Sequence, residues 1–236
     1  MITIISSFYN ESRNCNLFLE MIEDTSKLIP IDQLVVVDNG SSDNTYEELI
    51  NLKSSRFEIV VIKNPILSSY GDGFHAAFKK SKNEFIFTIH SDLQFNLYNF
   101  VKNNIELINS SIENRINIFP KRINRPIFSE IRSLIYRYLL SIIFFTYFNE
   151  FSGQPKLLIK KDFLEMKSYC RNFSYDLSLF YYLKKNKKKL NFSTKSKELK
   201  RVNGSTSWNK NFFSQFKELY LNINDLIKFK KDNSIK

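Results

Sequence analysis

Four short runs of β-branched and aromatic residues alternate with helical patterns in the first half of the chain. The runs are Ile2–Ile5, Leu34–Val37, Phe57–Ile62 and Phe85–Ile89. Short apolar runs are typical of strands buried on both faces. Their alternation with helices predicts right-handed βαβ units. We therefore expect an α/β fold with a mostly parallel sheet flanked by helices.

The sequence of the second half predicts more helix than that of the first half. We expect strands at 116–119 and 155–159, and helices at 129–148, 174–185 and 212–231. No low-complexity linker separates these parts, and a chain of 236 residues fits one domain. We assign residues 1–210 to that domain, with halves 1–120 and 121–210. Residues 211–236 form a basic, amphipathic helical extension.

The net charge of the chain limits the kinds of partner that it is expected to bind. The net charge of +11 favours nucleic acid, anionic lipid or phosphorylated substrates. No nucleic-acid-binding motif is present, so we expect no nucleic-acid partner. The two cysteines predict no disulfide framework. No basic leader and no apolar run of about 18–20 residues is present, which favours a cytoplasmic protein at the inner face of a membrane.

Three potential metal ligands follow the fourth apolar run. His90, Asp92 and Gln94 alternate, and along an extended backbone such residues point to one face. The carboxyl end of a buried strand is where ligands bind in open α/β sheets. Oxygen ligands suit Mg²⁺ or Mn²⁺, and His90 shifts the preference toward Mn²⁺. The alternative is a hydrogen-bonded turn beside a packed imidazole.

Other polar residues are ambiguous on spacing alone. Asp38 ends the second run, where it either meets a base or ribose or caps a turn. Gly71 and Gly73 lie in a predicted loop that either lets backbone approach a phosphate or simply turns. Asp176 is either a general base or a carboxylate at a helix N-terminus.

The segment 129–148 is rich in Leu, Ile, Phe and Tyr, with Arg132 and Arg137 set into it. A basic, aromatic helix too short to span a bilayer suits a membrane interface. A helix apolar on nearly every face equally suits a buried core.

Several motifs together resemble the family 2 inverting glycosyltransferases of GT-A fold, within them the polyprenyl-phosphate sugar transferases such as dolichol-phosphate mannosyltransferase. In chain order the matching segments are Ser7–Glu11, Val35–Thr45, Gly71–Gly73, Ser91–Gln94, Glu150–Lys156, Tyr175–Leu177 and Arg201–Ser205. The resemblance covers nearly the whole chain. It makes 1–120 the nucleotide-sugar half and 121–210 the acceptor half.

The resemblance implies transfer of a sugar from a nucleotide sugar, with a divalent metal (Mg or Mn) on the diphosphate. Catalytic roles fall to Asp92, Arg201, Asp176 and Glu150. Contacts with the nucleotide sugar fall to Tyr9, Glu11, Asp38, Gly71, Gly73, Ser91 and Asp92. The metal set is Asp92, Gln94 and His90. Phosphate of donor or acceptor would meet Arg122, Arg132, Arg201 and Ser205.

Two positions depart from the family pattern. Asn39 replaces the second acid of an Asp-Asp pair, and His90 replaces the first aspartate of Asp-x-Asp-x-Gln. We expect the acceptor to be a polyprenyl phosphate, which needs no general base; the alternative is a glycan hydroxyl, which does. The two departures suggest a third possibility, a protein that binds nucleotide sugars without transfer. A membrane-protein partner or a homo-oligomer is a further expectation.

Overall fold

A computed structural model describes residues 1–64, 69–164, 166–172, 174–201 and 212–235. Within them, one seven-stranded sheet has the strand order β3-β2-β1-β4-β7-β5-β8, and β6 pairs with β9. The strands are β1 (Ile2–Phe8), β2 (Ile31–Asp38), β3 (Glu58–Lys63), β4 (Phe85–Thr88), β5 (Asn117–Ile118), β6 (Lys121–Ile123), β7 (Lys156–Ile159), β8 (Leu190–Asn191) and β9 (Lys195–Lys197).

The main sheet is mostly parallel, as expected. β1, β2, β3 and β4 run parallel, and β7 pairs antiparallel with both β4 and β5. The helices are α1 (Cys15–Ser26), α2 (Thr45–Asn51), α3 (Tyr70–Lys80), α4 (Leu97–Glu113), α5 (Ile127–Phe144), α6 (Tyr175–Lys185) and α7 (Phe212–Asp232). The expected C-terminal helical extension is α7.

Side chains of one strand divide between two cores because successive residues point to opposite faces. Leu34 and Val36 pack in the core that contains α1, α2 and α4. Val35 and Val37 pack in the core with α3, α5, α6 and α7. The sheet is therefore covered by helices on both faces. This explains why the sequences of its strands are continuous apolar runs.

The helix α5 is not a buried core helix. It contributes Leu140 and Phe144 to the core, while most of its large apolar side chains face outward. Phe128 is 77% exposed and Tyr138 is 66% exposed. In the described part of the chain, no helix is long and apolar enough to cross a membrane.

The predicted glycine loop at 71–73 is wrong. Gly71 and Gly73 lie in the first turn of α3, which Ser69 and Asp72 cap reciprocally. A glycine-containing sequence can start a helix when its cap and its packing demand it. A Cβ at Gly73 would collide with Ser7, and one at Gly71 with the carbonyl oxygens of Cys170 and Arg171.

Candidate active site

The carboxyl ends of three adjacent parallel strands bring the predicted polar residues together. β1 leads to Tyr9 and Glu11, β2 ends at Asp38, and β4 leads to Ser91 and Asp92. β1 lies between the other two strands in the sheet. Ser91 fastens the β4 end to the β1 end, since its hydroxyl donates to the Ser7 carbonyl at 2.9 Å. Tyr9 is exposed beside them.

Arg201 joins two carboxylates at this edge. Its Nη2 donates to Asp92 Oδ2 at 3.0 Å, and its Nη1 lies 3.6 Å from Glu11 Oε1. Burial raises the pKa of Glu11 to about 7, opposed by Arg201, and the charge of Asp92 adds to the rise. Two nearby carboxylates thus share one guanidinium, an arrangement that favours a further cation.

The chain holds Arg201 in this place through Gln94. The Leu199 amide donates to the Gln94 carbonyl at 2.8 Å, and the Gln94 side chain donates to the Leu199 carbonyl at 3.4 Å. The Gln94 amide donates to Asp92 Oδ1 at 3.1 Å. The turn 92–94 and the segment 199–201 are therefore one hydrogen-bonded unit.

The expected extended backbone through 90, 92 and 94 is wrong. β4 ends at Thr88, and Leu93 has a left-handed φ of 58°. The turn keeps Asp92 and Gln94 adjacent, whereas His90 Nε2 lies 2.8 Å from the Tyr70 hydroxyl. Period-two alternation applies only while the strand continues.

Asp38 and Asn39 shape the end of β2. Asp38 Oδ1 accepts from the Ser41 amide at 3.2 Å, so in this structure the carboxylate caps a turn. Asn39 Nδ2 donates to the Ser69 carbonyl at 3.0 Å, and Asn39 Oδ1 accepts from Asn64 at 2.9 Å. A carboxylate at Asn39 would have no proton for the Ser69 carbonyl, which explains the amide physically.

A buried polar network lies next to His90. Lys156 Nζ lies 2.9 Å from Asp176 Oδ2, and the Tyr70 hydroxyl donates to the same oxygen at 3.3 Å. Hydrogen bonding orients the Gln154 amide so that its oxygen accepts from Lys156 Nζ at 2.7 Å and from His90 Nε2 at 3.2 Å. This amide orientation assigns the donor role in that contact to His90 Nε2.

Burial controls the ionisation of this network. It lowers the pKa of His90 against the opposing charges of Asp92 and Asp176, which favours the neutral imidazole. It also lowers the pKa of Lys156, whereas Asp176 opposes that shift. Burial raises the pKa of Tyr70 well above its usual value.

A cluster of arginines and glutamates borders the network. Glu150 accepts from Arg122 at 3.1 Å and from Arg137 at 3.5 Å. Arg125 Nε lies 3.1 Å from Glu198 Oε2. Arg132 is exposed on α5 and donates to Ser129 at 3.1 Å. The predicted Ser205 lies outside the described residues.

Sequence reasoning missed Lys156, Tyr70 and Gln154, and it gave no role to Arg125 or Arg137. A lysine that begins the apolar run Lys156–Ile159 was a usable signal, since a buried lysine needs a partner. Arg137, a charged residue within an apolar helix, was another usable signal. Tyr70 carried no such signal, because its partner Asp176 lies 106 positions away in the sequence.

Known proteins resemble this chain in sequence pattern and in fold. Residues 3–140 match the family model described as glycosyl transferase family 2. No curated protein matches the chain in sequence.

Solved structures match the fold over almost the whole chain. Glucosyl-3-phosphoglycerate synthase from Mycobacterium tuberculosis, with Mn²⁺, UDP-glucose and phosphoglyceric acid, has a TM-score of 0.66 at 15% identity, covering 100% of this chain and 80% of that one. S. aureus TarS 1–349 with UDP-GlcNAc has a TM-score of 0.59 at 15% identity, covering 97% and 71%.

Proposed function

The chain belongs to glycosyl transferase family 2, and from that premise we propose that it transfers a sugar, with inversion, from a nucleoside diphosphate to a phosphate group on a polyprenyl lipid. The observation that carries the proposal is the Arg201 guanidinium held between Asp92 and Glu11 at the carboxyl ends of β1 and β4. A diphosphate donor needs cationic groups at such a strand edge.

The donor half fits a divalent metal. Asp92 offers a carboxylate and Gln94 an amide oxygen on the same turn, and Mg²⁺ or Mn²⁺ commonly uses one or two carboxylates plus substrate phosphates. When bound, the metal would neutralise charge on the diphosphate. The His90 imidazole is already engaged by Tyr70 and Gln154.

Arg201 supplies positive charge from the protein itself. Its guanidinium stabilises the nucleoside diphosphate as the bond from the anomeric carbon to the diphosphate oxygen breaks. The acceptor oxygen forms its bond to the same carbon from the opposite face, which inverts the configuration. Glu11 and Asp92 hold the guanidinium for this task through the contacts of 3.6 Å and 3.0 Å.

The engagement of Asp176 supports an acceptor that is already ionised. Its Oδ2 receives both Lys156 and Tyr70 in a buried setting. To take a proton, this oxygen would have to give up its contacts with Lys156 and Tyr70. A phosphate monoester is ionised at neutral pH and needs no base, whereas a glycan hydroxyl does.

The outer face of α5 supports a lipid-linked acceptor at a membrane surface. Its exposed apolar side chains form an apolar strip, defined as Ile127, Phe128, Ile131, Leu134, Ile135, Tyr138, Leu139, Ile142 and Ile143. Lys230 and Lys231 of α7 lie beside its C-terminal end. Apolar side chains next to lysines favour the interface of an anionic bilayer.

Vesicle sedimentation tests the membrane part of the proposal. Binding to vesicles of phosphatidylcholine and phosphatidylglycerol is expected to fall when Phe128→Ser and Leu134→Ser are combined. Leu164→Ser is the matched control, because Leu164 is exposed outside the strip. If Leu164→Ser lowers vesicle binding by the same amount, the apolar strip of α5 is not the membrane-binding surface.

The acceptor is tested by comparing a short polyprenyl phosphate with the same polyprenol in detergent. Release of nucleoside diphosphate is expected to rise with the phosphate and to stay at the background rate with the alcohol. A response to an oligosaccharide but not to the lipid phosphate would instead establish the hydroxyl-acceptor alternative.

A further inference from the structure

A groove lies between the C-terminal ends of α5 and α7, away from the candidate active site. This α5–α7 groove is lined by Ile143, Phe144, Ile227, Lys230, Lys231 and Ile235. Its cavity volume is about 410 Å³, within the range of about 300–1,000 Å³ that is usual for ligand pockets. Because α5 has 18 residues, the groove lies about 25 Å along that helix from its start after β6.

The groove has apolar walls that are only partly covered. Ile143 is 43% exposed and Ile227 is 39% exposed, whereas Phe144 is buried between the groove and the core. Ile143 also belongs to the apolar strip of α5, so apolar surface continues from the strip into the groove. A hydrocarbon chain would remove this surface from water, which is favourable in proportion to the area covered.

Lysines give the groove a positive charge. Neither Lys230 nor Lys231 forms an ion pair with the other described residues. Lys185 Nζ lies 5.8 Å from the centre of the Tyr181 ring, and that ring is 5.5 Å from the ring of Phe144. Residues 228–235 contain three lysines and one acid, Asp232, so their net charge is +2. The groove therefore complements an anion.

The end of α7 is capped in a way that suits an anion nearby. The last carbonyl groups of a helix usually carry partial negative charge and disfavour anions. Here Ser234 has a left-handed φ of 52°, and its amide donates to the Lys231 carbonyl at 3.0 Å. The Ile235 amide donates to the Lys230 carbonyl at 3.0 Å. These two carbonyls are thus paired within the chain, and the same turn brings Ile235 to the groove.

From these features we propose that the α5–α7 groove binds one anionic phospholipid. The acyl chain lies on the apolar walls, and the phosphodiester meets the ammonium groups of Lys230 and Lys231, which are hydrogen-bond donors only. The proposal rests on the membrane part of the proposed function, which brings α5 to a bilayer. The bound phospholipid is a component of that bilayer and is distinct from the acceptor.

Methyl NMR of the isoleucines tests the site without a bilayer and without catalysis. The probes are dihexanoyl phosphatidylglycerol and dihexanoyl phosphatidylcholine, each below its micelle concentration. The methyl signals of Ile143, Ile227 and Ile235 are expected to shift and to saturate. The phosphatidylglycerol should bind about 10-fold more tightly, because the choline cation of the other lipid opposes the lysines, on the scale of one charge-assisted hydrogen bond.

Paired lysine variants test the headgroup contact. Lys230→Gln combined with Lys231→Gln should weaken phosphatidylglycerol binding by about 10-fold or more. Lys217→Gln combined with Lys228→Gln is the matched control, since both lysines are exposed on α7 outside the groove. It should cost less than about 3-fold, because salt screens such charges. Lys230→Arg combined with Lys231→Arg keeps the charge and should retain the affinity, which guards against a folding defect.

A second pair of variants tests the acyl-chain contact. Ile227 and Leu221 are both 39% exposed on α7, and Leu221 lies outside the groove. Ile227→Ser should weaken both lipids by about 4-fold or more, the scale of one buried methylene group. Leu221→Ser should leave both affinities unchanged.

Three results would overturn the inference. They are methyl shifts that spread along α5 without saturation, an equal loss in the control pair of lysine variants, or shifts of the groove methyls that depend on protein concentration without lipid. The last would give the groove to a second copy of the chain.

Failure of the proposed function is read separately. Phe128→Ser combined with Leu134→Ser alters the strip far from the groove, so it should lower vesicle binding and leave phosphatidylglycerol binding unchanged. Groove-dependent binding of phosphatidylglycerol in a protein without sugar transfer would refute only the proposed function.

Discussion

Lys156 Nζ lies 2.9 Å from Asp176 Oδ2, and the lysine side chain has no exposure to solvent. The pair joins the first residue of β7 to the first turn of α6. It bears on how Asp176 can act, because the oxygen that would take a proton is already engaged by Lys156 and Tyr70. The pair also makes a direct prediction about stability.

Lys156→Met is expected to lower the free energy of unfolding by about 3–5 kcal/mol, the usual cost of leaving one buried charge unpaired. The double variant with Asp176→Leu should recover most of that loss. Urea denaturation measures both. Lys27→Met, which breaks the exposed pair with Asp24, should cost under about 1 kcal/mol. Additive losses in the double variant would mean that the two groups do not interact.

Gly73 is required by the packing of α3 on β1. A methyl group there would collide with the Ser7 side chain, so Gly73→Ala should cost about 1–3 kcal/mol, as overpacking does. Ser7→Gly removes the obstacle and should reduce that cost. It should not relieve Gly71→Ala, whose methyl would meet backbone carbonyls of Cys170 and Arg171. Thermal unfolding of the single and double variants tests the coupling.

His75 should titrate at low pH. Burial, with a contribution from Lys79, lowers its pKa to about 4 against the opposing charge of Asp72. The unfolded chain therefore binds this proton near pH 6.5 and the folded chain only near pH 4. The stability due to His75 is present above pH 6.5 and is lost as the pH falls toward 4.

Proton NMR can follow His75 directly, since the chain has two histidines. The His75→Gln variant assigns the signals and should flatten the decline of stability below pH 6.5. A His75 titration near pH 6.5 in the folded protein would contradict the burial of its ring against Tyr169.

Asp92 should be needed for metal binding, and Arg201 should compete with the metal for it. Electron paramagnetic resonance of free Mn²⁺ measures both effects. Asp92→Asn is expected to weaken Mn²⁺ binding in the presence of UDP by about 10-fold or more, as for the loss of a charge-assisted contact. Arg201→Gln should strengthen Mn²⁺ binding without UDP, because Asp92 and Glu11 lose their shared cation. Unchanged Mn²⁺ binding in both variants would place the metal elsewhere. Asp24→Asn, which changes an exposed carboxylate, is the control and should leave Mn²⁺ binding unchanged.

Local patterns predicted the scaffold well. The apolar runs at 2–5, 34–37 and 85–89 all became parallel strands, because continuous apolar runs are stable only with both faces covered. The polar residues that follow them meet at one edge, since parallel strands share a direction. Asp92 and Asp38 were found in this way, whereas Glu11 was named only through the family resemblance.

Contacts made by tertiary packing were not predictable. Arg201 meets Asp92 across 109 positions of sequence, and Tyr70 meets Asp176 across 106. The left-handed turn at Leu93 and the helical start at Gly71 depend on neighbours that no local pattern shows. The outward direction of α5 is a similar case, because its composition suits a core and an interface equally.

Sugar transfer at the Asp92–Arg201 edge is tested most directly by nucleoside diphosphate release from a panel of UDP- and GDP-sugars. The assay contains Mn²⁺ or Mg²⁺ and a short polyprenyl phosphate. One donor is expected to turn over only with the lipid phosphate, and Asp92→Asn should slow it by about 100-fold or more, the scale of lost electrostatic stabilisation. Release from no donor, or release that Asp92→Asn leaves unchanged, would contradict the proposal.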